Sequence, residues 1–215
     1  MVFKNKILSL LFLSTFLITM FCNICYADSS KEGYYNGSTY HNDYLGFYIQ
    51  LPSDWQKVNN LQKQELDKKA ADVYSGGDTN LKNQMTESIN SALTLLNSTK
   101  YPLGAPNNIS IIIAATNVEN FPYLQNSNNH LEATKRFLLN TNMKIEIEKD
   151  IHEEEINGEK YASMTVNTKL GKLVIRQKIY SVIRQKYAVL CVLSYALPNQ
   201  EQEVDTIFSS LHFNK

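Results

Sequence analysis

The sequence predicts an α+β fold in which an antiparallel β-sheet is flanked by α-helices, and three observations carry that prediction. From Met143 to Tyr195, apolar and polar residues alternate in successive runs broken only by tight-turn signals, the mark of consecutive antiparallel strands. Elsewhere, apolar residues recur at steps of three and four, as they do on helices that dock one face. Tyr187 to Tyr195 is apolar in both phases, which suits a central strand covered on both sides. Strands and helices segregated along the chain are the α+β way of burying such faces.

The first segment is read as a targeting signal rather than as part of the fold. Lys4 and Lys6, the apolar run Ile7 to Phe21, and Cys25-Tyr26-Ala27 at the cut site predict a cleavable signal peptide over residues 1–27, with cleavage after Ala27. A membrane anchor needs about 20 apolar residues, and Ile7 to Phe21 supplies 15. Cys22 follows Phe21 and Cys25 follows Ile24, so neither has the small preceding residue of a lipid-modified cysteine. The expected product is secreted or extracytoplasmic, without stable membrane insertion.

Residues 28–42 are polar, contain Gly33 and Gly37, and show neither helical nor strand periodicity, which predicts a flexible leader. Its tyrosines, Tyr34, Tyr35 and Tyr40, are able to stack on sugar rings or to pack on the domain. Residues 43–215 are expected to form a single α+β domain. Its first strand is Tyr44 to Leu51, where Leu45, Phe47, Ile49 and Leu51 form the core phase and Pro52 ends the ladder. Trp55 follows on the turn, where it could serve as a ligand platform, although a lone tryptophan is more often a core plug. Asn60 to Tyr74 carries a loose apolar stripe, and Thr79 to Asn97 a better one, Leu81, Met85, Ile89, Leu93 and Leu96; both predict helices. Ile109 to Val118 reads as an internal strand. Asn126 to Asn129 cap a helix marked by Leu131, Thr134, Phe137 and Leu138 and ending near Asn142.

Four strands are then expected in succession. Met143 to Ile156 alternates, Asn157-Gly158 is a two-residue hairpin signal, and Ala162, Met164 and Val166 carry the returning strand. Leu170-Gly171-Lys172 turns the chain into Leu173 to Ile183, and Tyr187 to Tyr195 completes the set. Ile-Arg-Gln-Lys occurs at 175–178 and again at 183–186, a short echo that does not make a repeat protein. The last helix is capped by Asn199 after Pro198 and shows Val204, Ile207, Phe208 and Leu211 at i, i+3, i+4 and i+7.

Composition excludes several classes. Removing residues 1–27 takes away Lys4 and Lys6 and no acid, which leaves 19 basic against 21 acidic residues and a net charge of −2. Such a balance provides no basic patch for nucleic acid. Cys191 is the single cysteine of the mature chain, so a disulfide scaffold is excluded. It reads as a small buried hydrophobe.

The sequence carries no recognisable catalytic or metal constellation, and neither a cofactor nor a metal is expected. His152-Glu153-Glu154-Glu155-Ile156 begins like a zinc-protease helix but has Ile156 in place of the second histidine. The four histidines, His41, His130, His152 and His212, are scattered. Glu153 to Glu155 with Asp150 could hold calcium, but a solvated acidic edge that discourages strand pairing is the simpler reading. No G-x-S-x-G is present, and Ser75-Gly76-Gly77 lacks the first glycine and the preceding strand.

The stretch Tyr44-Leu45-Gly46-Phe47-Tyr48-Ile49-Gln50-Leu51-Pro52-Ser53-Asp54-Trp55 resembles the opening of PsbP-like domains of the PsbP/DcrB superfamily. Gln200 to Phe213, ending in Ser209-Ser210-Leu211-His212-Phe213, resembles their close. The resemblance spans roughly residues 40–215 and implies an α/β/α sandwich. It also implies a non-catalytic accessory or binding domain at an extracytoplasmic surface, with a protein or envelope ligand as partner. No functional residue is carried over from it, because its motifs are structural. The alternative is an envelope-acting hydrolase assembled from separate loops, with Asp150 or Glu153 and His130 or His152.

Overall fold

A computed structural model describes residues 31–105 and 107–214, and the predicted signal peptide lies outside them. In chain order the elements are β1 (Tyr34–Asn36), β2 (Thr39–Asn42), β3 (Phe47–Gln50), β4 (Gln56–Lys57), α1 (Asn60–Ser75), α2 (Thr79–Ser91), β5 (Leu93–Thr99), β6 (Ser110–Asn117), α3 (Ser127–Asn140), β7 (Lys144–Ile156), β8 (Glu159–Leu170), β9 (Leu173–Arg184), β10 (Tyr187–Tyr195), α4 (Glu201–Phe208) and β11 (His212–Phe213). The fold is α+β, with two antiparallel sheets. One has seven strands in the order β4-β5-β6-β10-β9-β8-β7, and the other has four in the order β1-β2-β3-β11.

The strand that is apolar in both phases lies at the centre of the larger sheet. Every residue of β10 is buried, and its two faces serve different cores. Val189, Cys191, Leu193 and Tyr195 pack with Ile111, Ile113 and Tyr180 against the small sheet and α4. Leu190 and Val192 pack with Ile112, Met164 and Ile179 against α1, α2 and α3. Helices therefore cover both faces of the large sheet, α1 to α3 on one and α4 on the other. The second face differs from a plain α/β/α sandwich because the four-stranded sheet shares it with α4.

Local chemistry explains the connections. Asn157 and Gly158 take φ of 55° and 76°, the left-handed pair that a two-residue hairpin between β7 and β8 requires. The Asn157 side chain also donates to the carbonyls of Ser209 and Leu211 at 2.8 Å each, tying this hairpin to the end of α4. A capping box of Asn59 and Gln62 opens α1, and Gly76 in the left-handed conformation closes it. Asn126 caps α3 by accepting from the amides of Asn128 and Asn129.

Three readings of the sequence are corrected. Residues 34–42, expected as a flexible leader, form the hairpin β1–β2, turned by Gly37-Ser38 and paired onward to β3. Gly-Ser between two Tyr-containing runs is a hairpin signal, and it lay inside a stretch too short and polar to show periodicity. The helix expected over Thr79–Asn97 stops at Ser91, and Leu93–Thr99 is β5. A register shift between Thr94 and Leu96 turns both Leu95 and Leu96 inward, and pairing with β6 satisfies the backbone that a longer helix would otherwise have satisfied. Finally, Asn199 caps nothing. Pro198–Gln200 is a single 3₁₀ turn, and the Gln200 side chain accepts from the amides of Ala196 and Leu197 before α4 begins at Glu201.

The seating of α4 is both apolar and ionic. Val204, Ile207 and Phe208 are buried, with Phe208 stacked 4.2 Å from Tyr180 and 5.6 Å from Tyr161. At its rim, Lys178 meets Glu201 at 2.9 Å and Asp205 at 2.8 Å, while Arg176 meets Glu201 at 3.0 Å and also contacts Glu148. The first copy of the Ile-Arg-Gln-Lys echo thus supplies cations to α4. The second ends in the Gln185-Lys186 turn, where Lys186 pairs with Glu119.

Candidate functional site

The groups named for a hydrolase are not assembled into one site. His130, on α3, is 3% exposed, with Nδ1 3.0 Å from the Ser181 hydroxyl on β9, itself wholly buried. Burial pushes the imidazole down to about 4, so it is neutral at physiological pH. A serine and a histidine in contact suggest nucleophile and base, but a carbonyl substrate cannot reach either group through the α3–sheet interface. Asp150 accepts from Lys135 at 2.5 Å and from the Ile151 amide at 2.7 Å, and the hydrogen bond from Lys135 holds its carboxyl below the usual carboxylate range. His152 Nδ1 lies 2.8 Å from the Asp150 carbonyl oxygen, and Glu153 accepts from Lys160 at 2.9 Å. β7 is an outer strand of the large sheet, and its exposed acids guard that edge against pairing with another chain. Among the described residues no group of three or more His, Cys, Asp or Glu side chains lies together as a metal site would need.

Two of the scattered histidines do meet, around a tyrosine. Cross-strand pairing of the small sheet sets Tyr34 opposite His41, His41 opposite Tyr48, and Tyr48 opposite His212. Their rings follow one another at 5.4, 6.0 and 5.2 Å, with interplanar angles of 14°, 32° and 5°. Parallel rings at such spacing cannot lie side by side in one plane without overlap. The Tyr34–His41 and Tyr48–His212 pairs are stacked, and the His41–Tyr48 pair between them is tilted. Tyr34 is 53% exposed and Tyr48 37%.

Strand alternation makes this the outer face. The intervening residues point the other way and form a second ring row, in which Tyr35–Tyr40, Tyr40–Phe47 and Phe47–Phe213 are 5.2, 5.9 and 5.5 Å apart. That inner row belongs to the core beneath the small sheet. Lys57 sits over Tyr35 at 3.2 Å and Arg184 over Phe213 at 4.7 Å, closing its two ends with cations. Two residues along each strand, the outer face carries a second line of Asn36, Thr39 and Gln50, again in cross-strand register. The Ser210 hydroxyl clips that line to the end of α4 by donating to the Gln50 carbonyl at 3.1 Å. None of the residues in these two rows is Lys, Arg, Asp or Glu.

Of the tyrosines singled out from the sequence, Tyr40 is a core residue, Tyr35 is partly buried against that core, and Tyr34 stands outside. His41, Tyr48 and His212 were not recognised as its neighbours. Tyr48 was legible as the solvent phase of the first strand, but its partners come from segments 7 residues before it and 164 after it. A surface hollow along α4 between Pro198 and Ser209 is shallow and open and is lined by Glu201 and Asp205, whose carboxylates are engaged with Arg176 and Lys178.

No family model matches the chain, and no curated protein matches it. Solved structures similar to it include the cyanobacterial PsbP of Synechocystis, at 13% identity and a TM-score of 0.49 over 89% of this chain and 98% of that one. A protein from Bacteroides thetaiotaomicron is similar at 10% identity and a TM-score of 0.43, over 79% of this chain and 45% of that one. LpqN, described as involved in cell envelope biogenesis of Mycobacterium tuberculosis, is similar at 10% identity and a TM-score of 0.39, over 79% of this chain and 83% of that one.

Proposed function

We propose that this chain is exported through residues 1–27 and that its folded part is a non-catalytic binding or accessory domain at an extracytoplasmic surface. Its ligand is engaged by the outer face of the four-stranded sheet. The observation that carries this reading is the row Tyr34–His41–Tyr48–His212, a continuous strip of rings left facing outward while an equal row packs inward. Aromatic side chains lose solvent contact favourably at interfaces, so such a strip outside the core is a binding feature more readily than a stabilising one. The N-terminal signal motivates the location, and the near-neutral mature charge argues against a nucleic-acid partner. Among the described residues no helix is long and apolar enough to cross a membrane. The hydrolase alternative has less behind it: His130 is buried against Ser181, the Asp150 and Glu153 carboxylates are taken by Lys135 and Lys160, and His152 meets Asp150 only at its backbone carbonyl.

The test is co-sedimentation of the purified protein with washed cell-envelope fragments. Retention that falls when Tyr34→Ala and Tyr48→Ala are combined supports the binding face. Retention unaffected by that variant, or turnover of ester, peptide or glycan substrates that is abolished by His152→Ala, overturns it.

A further inference from the structure

We propose that the outer face of the small sheet binds a neutral, extended glycan chain laid across the strands, an inference that rests on the binding-face reading above and names its ligand. The first argument is charge. The ring row and the Asn36–Thr39–Gln50 row contain no Lys, Arg, Asp or Glu, although a fifth of the chain is charged. A polyanion would need cations on this face and a polycation would need carboxylates. A neutral ligand needs neither.

The second argument is the pairing of ring and hydrogen-bonding groups. A pyranose offers apolar C–H faces and a rim of hydroxyls. The exposed rings of Tyr34 and Tyr48 meet the first, and amides, hydroxyls and imidazoles, which both donate and accept, meet the second. No Leu, Ile, Val or Met is found in either row, so the face lacks the aliphatic content of a protein-docking core.

The third argument is shape. Three successive ring spacings of 5.4, 6.0 and 5.2 Å form a strip rather than a pocket, which suits a polymer better than a compact small molecule. The strip is held before any ligand arrives. The inner row Tyr35–Tyr40–Phe47–Phe213 packs the sheet from below, and the Ser210 hydroxyl ties Gln50 to the end of α4. Little ordering is therefore left to oppose binding.

The experiment titrates the purified protein with cellohexaose, chitohexaose, laminarihexaose and maltohexaose, with a heparin hexasaccharide as the anionic counterpart, by calorimetry and by backbone-amide NMR shifts. The expected result is binding of at least one neutral hexaose, with shifts confined to β1, β2, β3 and β11. Tyr34→Ala combined with Tyr48→Ala should weaken it by about tenfold or more, a loss of about 1.4 kcal/mol or more for two ring anchors. Tyr123→Ala, at an exposed tyrosine on the segment before α3, should leave it unchanged. The NMR map of the unaltered protein tests the site even if the double variant folds poorly. Binding of heparin alone, shifts elsewhere, no neutral hexaose bound, or a self-associated dimer that the double variant dissolves would each overturn the proposal. If the hexaoses fail while envelope retention still depends on Tyr34 and Tyr48, the ligand class falls and the binding face stands. If retention also fails, both fall.

Discussion

The buried pair of His130 and Ser181 predicts a loss of stability in mild acid that belongs to one side chain. In the folded protein the imidazole is held at about 4 by burial, whereas in the unfolded chain it returns to its ordinary 6.5. Between those values the unfolded state binds more protons, so stability is complete above pH 6.5 and falls as the pH is lowered toward 4. At about 1.4 kcal/mol per pH unit the whole effect is about 3 kcal/mol, of which about 2 kcal/mol is lost by pH 5. The carboxyls of Asp150 and Glu201 are held below their ordinary values of 3.8 and 4.5, so their loss begins at the lower edge of this window and below the pH 5 measurement. Replacing both partners, His130→Leu with Ser181→Ala, removes the titrating group without leaving a buried hydroxyl unpaired. Urea unfolding followed by Trp55 fluorescence at pH 8 and pH 5 measures the difference. The parent should lose about 2 kcal/mol more than the double variant over that interval. Equal losses in the two proteins would refute the assignment of a neutral buried imidazole.

Other outcomes follow from the same contacts. Phe208→Ala removes the ring stacked on Tyr180 and contacting Tyr161, and should cost about 3–5 kcal/mol in urea unfolding; a cost under about 1 kcal/mol would mean that α4 is not held by this ring. Asn157→Ala strains a residue at φ 55° and removes two side-chain hydrogen bonds to the end of α4. The expected cost is about 2 kcal/mol, and amide exchange at Leu211 should accelerate. Cys191 is fully buried, with its thiol pushed well above the ordinary range by that burial, so a thiol reagent should label it in urea and not in native buffer. Labelling at the rate of a free thiol in native buffer would contradict the β10 assignment. The Glu201 carboxyl is lowered chiefly by its hydrogen bond from Lys178, so its contribution is present at neutral pH and is lost as the pH falls from the ordinary 4.5 through the lowered value. Glu201→Gln should flatten the acid limb of the stability profile there.

The legible parts of the fold were those whose apolar pattern is long and whose partner is adjacent in the chain. The β7–β8 hairpin followed from alternation plus Asn157-Gly158, α3 from its stripe and asparagine cap, and β10 from being apolar in both phases. The boundary errors arose where two periods coincide. Leu93 and Leu96 extend the helical spacing of α2, yet they sit in β5, where a bulge lets a strand present them as well. A strand of three residues such as β1 is too short to display any period, and it becomes a strand because β2, itself paired to β3, lies beside it.

By itself the sequence determined the α+β class, the phase of most strands and the burial of Cys191 and Trp55, because each follows from local pattern and the one-sided cost of exposing apolar surface. It also determined that no local catalytic motif is present. Only the tertiary structure decided which polar residues stand together. His41, Tyr48 and His212 are neighbours because β11 returns across most of the chain to pair with β3, and His130 meets Ser181 because α3 lies on β9. Such encounters depend on long-range pairing, and an exposed ring has no periodic signature of its own, since nothing buries it and forces the pattern.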